Sequence, residues 1–227
     1  CNREGFQGII QIFGENCISN IQKGKYAPPQ YLKMALGQKK GDLKMLILAS
    51  MSPRRREILA LAGFEFTVHP ADIDESVPDG TPADSAVMMT AQKKAEAVLP
   101  YASEEDVILA ADTVVCLDGV IIGKPATTDE AVKTLRTLSD RTHTVYTGYC
   151  LLKGGKRISG VEATNVTFRE LDGNEIADYV ASGEPMDKAG AYGLQGRGCT
   201  FAKRIDGEYF NVIGLPICTI HNCLKNI

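Results

Sequence analysis

The stretch "LILASMSPRRREILALAG", residues 46–63, sets the fold class. "LILAS" is a short apolar strand. Ser52 is a good helix N-cap, and Pro53 fits the first helical position, where its missing N–H costs nothing. Ile58, Leu59 and Ala62 supply an apolar face and Gly63 a stop. A strand that turns within four residues into a helix is the unit of an α/β fold. The charges on this helix are unexpected. A helix N-terminus carries roughly half a positive charge and favours Asp or Glu, yet the first turn holds Arg54, Arg55 and Arg56. Arg56 reads as a solvated surface residue. Arg54 and Arg55 lie beside the free N–H groups that make helix N-termini anion sites. With Ser50 and Ser52 they form a candidate phosphate cradle of backbone donors and guanidinium forks. A bound polyphosphate would supply the missing negative charge.

Outward from this unit the signals keep alternating. "FEFTVH" (64–69) reads as a strand, "PADIDESVPDGTP" (70–82) as an acidic loop, and about 82–98 as a helix with Ala86, Val87, Ala91, Ala95 and Val98 inward. "DVILAADTVVCL" is nearly continuous in apolar residues, as in a strand buried on both faces. Asp118-Gly119 then turns it back into "VIIGKP". A helix follows with Thr128 or Asp129 as cap. "THTVYTGYCLLK" and "KRISGVEATNVTFREL" bracket Gly154-Gly155 as a hairpin. "GNEIADYVASG" is a helix, "CTFAKRIDGEYFNVIG" (199–214) reads as a second hairpin, and Pro216 opens a last helix. No repeat or linker interrupts 45–227. The expectation is α/β: a single domain with a central mixed, twisted β-sheet flanked by helices.

Composition narrows the function classes. The chain has 227 residues, 44% hydrophobic and 23% charged, as in ordinary globular proteins. No apolar run approaches the roughly 18–20 residues of a membrane span, and no secretory signal pattern opens the chain. A net charge of −3 argues against bulk binding to nucleic acid or membrane. Seven cysteines, odd in number and without a C-x-x-C pair, favour reduced thiols and a cytoplasmic location. Residues 1–44 carry seven Lys/Arg and three Asp/Glu with weak periodicity. They read as an N-terminal extension, and Met45, directly before the first strand, as the expected translation start. Beginning at Cys1, the chain is expected to be a fragment or a processed form.

Asp112 interrupts the apolar run "VILAADTVV". It could cap a turn at the strand end. A charge in a buried strand is otherwise costly unless paired, so a carboxylate here points to a metal or a catalytic base. Its candidate partners are Asp74 and Glu75 of the acidic loop and the lysines Lys94, Lys124 and Lys188. Lys124 in "IIGKP" and Lys188 in "MDKAGAYG" sit in glycine-flanked turns. Cations on turns with carboxylates near a strand end describe a magnesium–polyphosphate site. No G-x-x-x-x-G-K-[ST] is present, which excludes a P-loop. "ADTVV" lacks the second aspartate of a phosphoaspartate-forming phosphatase.

Taken together, "LASMSPRRREIL", "DIDES", "KKAEA", "AADTVV", "GKP" and "SGEPMDKAGAYGLQG", in this order and spacing, resemble the Maf proteins. These are nucleoside triphosphate pyrophosphatases similar in fold to inosine triphosphate pyrophosphatases. The resemblance covers about 45–220. It implies a hydrolase acting on acid anhydrides, which cuts between the α- and β-phosphates to give a monophosphate and pyrophosphate. It further implies Asp112 as proton acceptor and Glu75 with Asp112 as ligands of a divalent cation, Mg2+ or Mn2+. Ser52, Arg54, Arg55, Lys94, Lys124 and Lys188 would then contact phosphates. Arg54, Thr113 and Gln195 are the combination that resembles the dTTP/UTP group. A 7-methyl-GTP pyrophosphatase and a non-catalytic nucleotide-binding regulator of cell division are the alternatives. The implied partner is the nucleoside triphosphate, and a homodimer is compatible with the sequence. Met51 departs from the small residue usual in the family, and its side chain is expected to point into the core.

Overall fold

The computed structural model describes residues 45–227. The expected N-terminal extension, 1–44, lies outside the described residues. β1 (Leu46–Leu48) enters α1 (Pro53–Leu61), and β2 (Phe66–Val68) and α2 (Ala83–Val98) follow. Next come β3 (Val107–Leu117), β4 (Val120–Ile122), α3 (Thr128–Leu138), and the long strands β5 (Thr142–Lys153) and β6 (Lys156–Phe168). α4 (Gly173–Ala181), β7 (Ala202–Asp206), α5 (Tyr209–Ile213) and α6 (Ile217–Leu224) complete the fold. The seven strands make one mixed sheet in the order β2-β1-β3-β5-β6-β7, with β4 also on β3. β1 is parallel to β2 and β3, and the other pairs are antiparallel.

The two-residue period of a strand sorts side chains between the faces. Leu46, Leu48, Val107, Leu109 and Ala111 enter the larger apolar cluster, with Ile58 and Leu59 of α1 and Leu135 and Leu138 of α3. Ile47, Ala49, Ile108 and Ala110 enter the other, against Ala91, Ala95 and Val98 of α2. β3 thus has helices on both faces, which is why it is apolar apart from Asp112 and Thr113. The same parity turns Asp112 toward α2 and Thr113 toward α1. The α2 backbone lies against β5 at Gly148, where an added Cβ would sit 2.3 Å from the carbonyl carbon and oxygen of Val87.

On one edge of β3, β1 pairs with 107–109 and β4 with 115–117. Among the described residues no strand pairs with the intervening residues there, so the edge forks around Asp112 and Thr113. The loop from β1 to α1 reaches this fork, the position at which α/β sheets place ligands.

Several local expectations need correction. Thr127, not Thr128 or Asp129, caps α3, its hydroxyl accepting from the Glu130 N–H. Ser52 holds the N-cap position of α1, but its side chain makes no cap bond; its N–H donates to Ser50 Oγ at 3.2 Å. The stretch 199–214 is not a hairpin: β7 is followed by the short helix α5. Tyr, Phe, Val and Ile favour a strand there. The buried Asn211 amide overrides that preference by donating to Val145 O and Thr164 Oγ1. Met51 does not enter the core and is 68% exposed. The Asp118-Gly119 turn is as expected, with φ of 51° and 80°, the left-handed pair of a tight hairpin.

Candidate active site

Three clusters meet at the fork in β3. The first comes from parity. Asp112 faces α2, and Lys94, on the buried side of α2, donates to Asp112 Oδ1 at 2.7 Å. The same ammonium lies 3.0 Å from Glu75 Oε1 on the acidic loop. Lys94 is largely buried and Glu75 more than half exposed, so the carboxylate pair opens outward from a buried cation. A buried cation with one partner would be costly; with two it is satisfied. Asp74 takes no part in this cluster. It accepts from the N–H and hydroxyl of Ser76, and these bonds hold its carboxyl below the usual range.

The second cluster lies on the opposite face. Arg55, buried in the first turn of α1, donates through Nε to Gly214 O at 2.8 Å, through Nη1 to Ser50 Oγ at 3.0 Å, and through Nη2 to Thr113 Oγ1 at 3.1 Å. Two of its five N–H groups remain. Thr113 Oγ1 also meets Thr147 Oγ1 at 2.9 Å, and Thr147 donates to Asn211 O. Burial pulls the Arg55 pKa below its usual value, against the opposing charge of Asp112; Arg54 adds to the lowering and Glu75 resists it.

The third cluster lies at the exposed rim. Arg54 Nη1 donates to Asp187 Oδ2 at 3.0 Å, and Lys188 Nζ to Asp187 Oδ1 at 2.7 Å. Lys188 also donates to Glu184 O at 2.7 Å. Burial raises the Asp187 pKa, but bonds from Lys188 and Arg54 outweigh it and leave the carboxyl below its ordinary value. Lys124 is exposed on the turn after β4, and a bond from Gly190 N to Gly123 O ties that turn to the one carrying Lys188. Gln195 is exposed on the glycine-rich loop 193–198.

The structure therefore brings Asp112, Glu75 and Lys94 into direct contact and joins Arg55 to Thr113. Arg54 meets Lys188 through Asp187. Gln195 and Lys124 stand on turns that each touch the Lys188 segment. Sequence reasoning missed Thr147 and Asp187, and it placed Ser50 in the cradle without its bond to Arg55. Asp187 adjoins Lys188 in sequence, but its partner Arg54 lies 133 residues away. Thr147 follows from the β3–β5 register, which sets it opposite Thr113.

Such a fold and site define an α/β protein equipped to bind an anionic ligand at strand-end loops and to do acid–base work beside it. The chain belongs to the Maf-like protein family, whose model matches residues 45–227. A dTTP/UTP pyrophosphatase of Geobacillus sp. (strain WCH70) is 48% identical over 175 residues, 77% of this chain and 94% of that protein. One from Pyrococcus furiosus is 45% identical over 179 residues, 78% of this chain and 93% of that protein. Among solved structures, the Staphylococcus aureus Ham1 protein matches with a TM-score of 0.46 and 12% identity, over 81% of this chain and 99% of that one. That likeness is too loose to bear on the fold, which rests on the strand order. Among the described residues no helix is long and apolar enough to cross a membrane, and Cys116, Cys150, Cys199, Cys218 and Cys223 are free thiols.

Proposed function

We propose that this protein hydrolyses nucleoside triphosphates, dTTP and UTP foremost, to the monophosphate and pyrophosphate. The observation that carries the reading is the contact of Lys94 with both Asp112 and Glu75, one residue along β3 from the Arg55-bound Thr113. Its relatives' names supply the nucleotide.

Asp112 accepts the proton of the attacking water. Lys94 holds the carboxylate in place through its 2.7 Å bond to Oδ1. Water adds to the α-phosphorus, the α–β bridging P–O bond breaks, and pyrophosphate leaves. Arg54, Lys124 and Lys188 bind the charge that develops on it, with the Ser52 turn and the N-terminus of α1. Arg55 acts from beneath the loop, where its bond to Ser50 Oγ organises the cradle and two N–H groups remain for a phosphate.

The donor set suits a divalent cation. Glu75 and Asp112 offer hard oxygens converging on one cationic point. Among the described residues no third acidic, His or Cys ligand joins them, so phosphate oxygens and water would complete the shell, as Mg2+ prefers. When bound, such an ion would neutralise phosphate charge and polarise the scissile linkage.

Gln195 would read the O4–N3 edge of the pyrimidine through its amide. Arg54 would stand beside it, and Thr113, committed to Arg55, would act through that side chain. A base-reading site rejects a mismatched base by leaving buried polar groups unpaired. Pyrophosphate release from dTTP, UTP, CTP, GTP and 7-methyl-GTP, with and without metal, tests the proposal. Preference for dTTP and UTP is expected. Preference for either guanine nucleotide, or binding without turnover, would overturn it.

A further inference from the structure

The glycine-rich loop 193–198 is held from below by one carboxylate. Glu184 Oε2 accepts from Arg197 N at 2.9 Å, and Oε1 accepts from Tyr179 Oη at 3.0 Å and from Gly198 N at 3.4 Å. The Tyr179 hydroxyl in turn accepts from Gly193 N at 3.2 Å. Both ends of the loop that carries Gln195 are thus tied to Glu184. Burial, then the neighbouring carboxylate, pushes the ionisation of Tyr179 well above its usual range, so it remains a donor.

Steric contact gives a second, independent sign that the loop is seated closely. A Cβ at Gly196 would stand 2.4 Å from Glu184 Oε1, and one at Gly198 2.8 Å from Gly193 O. One at Gly193 would meet Lys188 Cε at 2.6 Å. The loop lies so close to the Glu184 carboxylate and the Lys188 stem that a side chain at Gly193 or Gly196 would push them aside. The main chain of Glu184 meanwhile accepts from the Lys188 ammonium.

We infer that Glu184 is a positioning residue for base selection: its carboxylate fixes the loop 193–198 and so sets where the Gln195 amide meets the pyrimidine. The inference rests on the proposed pyrimidine triphosphate reading. Both oxygens of Glu184 face donors, so Glu184→Gln must turn an NH2 toward at least one of them and lose that bond. The loop then loosens, while the phosphate cations keep their partners.

The test compares wild type with Glu184→Gln, Tyr179→Phe and Gln195→Ala. It reads the ratio of kcat/KM for dTTP over CTP, the Kd for inorganic tripolyphosphate by calorimetry, and the Tm. The dTTP/CTP ratio should fall about tenfold in Glu184→Gln and by a smaller factor in Tyr179→Phe, with tripolyphosphate affinity held within about twofold. An unchanged ratio in folded Glu184→Gln, where Gln195→Ala lowers it, would overturn the Glu184 inference alone. An unchanged ratio in Gln195→Ala would overturn the base-reading assignment and the inference with it. An equal loss on dTTP and CTP would mark Glu184 as structural only and overturn the inference. If Glu184→Gln fails to fold, the ratio in Tyr179→Phe decides: a fall supports the inference and no change overturns it.

Discussion

Replacing Gly148 by alanine should damage both the fold and the reaction, because this glycine sets the spacing between α2 and the sheet. The added Cβ would lie 2.3 Å from Val87 C and O and 2.6 Å from Met88 N, where ordinary contact begins at 3.4 Å. All three atoms are backbone, so no side-chain rotation relieves the overlap. Helix and strand must separate by about 1 Å locally, at an overpacking cost of about 1–3 kcal/mol, here toward the upper end. For a chain of this size each kcal/mol lowers Tm by about 2–4 °C, so a fall of roughly 6–12 °C is expected. The catalytic effect follows from register. Gly148 is directly opposite Asp112 on β5, and Lys94 is seven residues along α2 from Val87, on the same buried face. Moving α2 outward lengthens the 2.7 Å contact between Lys94 and Asp112. A displacement near 1 Å at a reacting group can cost about 100-fold in rate. Thermal melts and kcat/KM for dTTP, measured on one preparation, check this. A Tm within about 2 °C of wild type together with undiminished kcat/KM would refute the link between helix spacing and catalysis.

Stability should fall with acid through His143. It is buried, with Nε2 2.8 Å from Tyr192 Oη, and burial lowers its pKa to about 4. Between about pH 4 and 6.5 the unfolded chain binds a proton that the folded chain refuses, so this contribution is complete above about 6.5 and lost as pH falls to about 4. It amounts to at most about 3 kcal/mol, read by urea unfolding at several pH values; a His143→Phe variant with the same acid sensitivity would exclude His143 as the cause. EDTA should abolish turnover and added Mg2+ or Mn2+ restore it, and an unchanged rate in EDTA would sink the metal assignment. A chain of residues 45–227 should fold and turn over dTTP at the full-chain rate, since the family match and every site residue lie within it. Insolubility or inactivity would move the domain boundary into residues 1–44.

The parts of the fold governed by local chemistry were legible. The β1–α1 unit, the Asp118-Gly119 turn and the Gly154-Gly155 hairpin each follow from neighbours in the chain. Asp112 stood out because a carboxylate in an apolar strand demands a partner, and strand parity then aims it at α2. Local chemistry did not select among the partners, and Glu75 was singled out only by the family resemblance. The folded loop supplies the physical reason: Asp74 is spent on Ser76 while Glu75 reaches Lys94. Arg54 and Arg55 look equivalent in sequence, yet one is half-buried at the rim and the other is enclosed beneath the loop. Helix geometry turns them in different directions, and Gly214 and Thr113, which enclose Arg55, are distant in sequence. The short helix α5 was misread because its local β preference is overruled by the Asn211 amide, a contact no local pattern carries. Met51 was misplaced for a related reason: apolarity suggests burial, but the loop between two serines at the site turns it outward.

The proton-acceptor role of Asp112 is tested most directly by Asp112→Asn, which keeps the side-chain shape and removes the ability to take a proton. Pyrophosphate release from dTTP and the dTTP Kd should be measured on the same folded preparation, with circular dichroism as the control. General-base loss at a hydrolytic centre costs about 100- to 10,000-fold, so kcat should fall within or beyond that range while Kd changes by only a few-fold. A folded Asp112→Asn protein that releases pyrophosphate at the wild-type rate would contradict the mechanism.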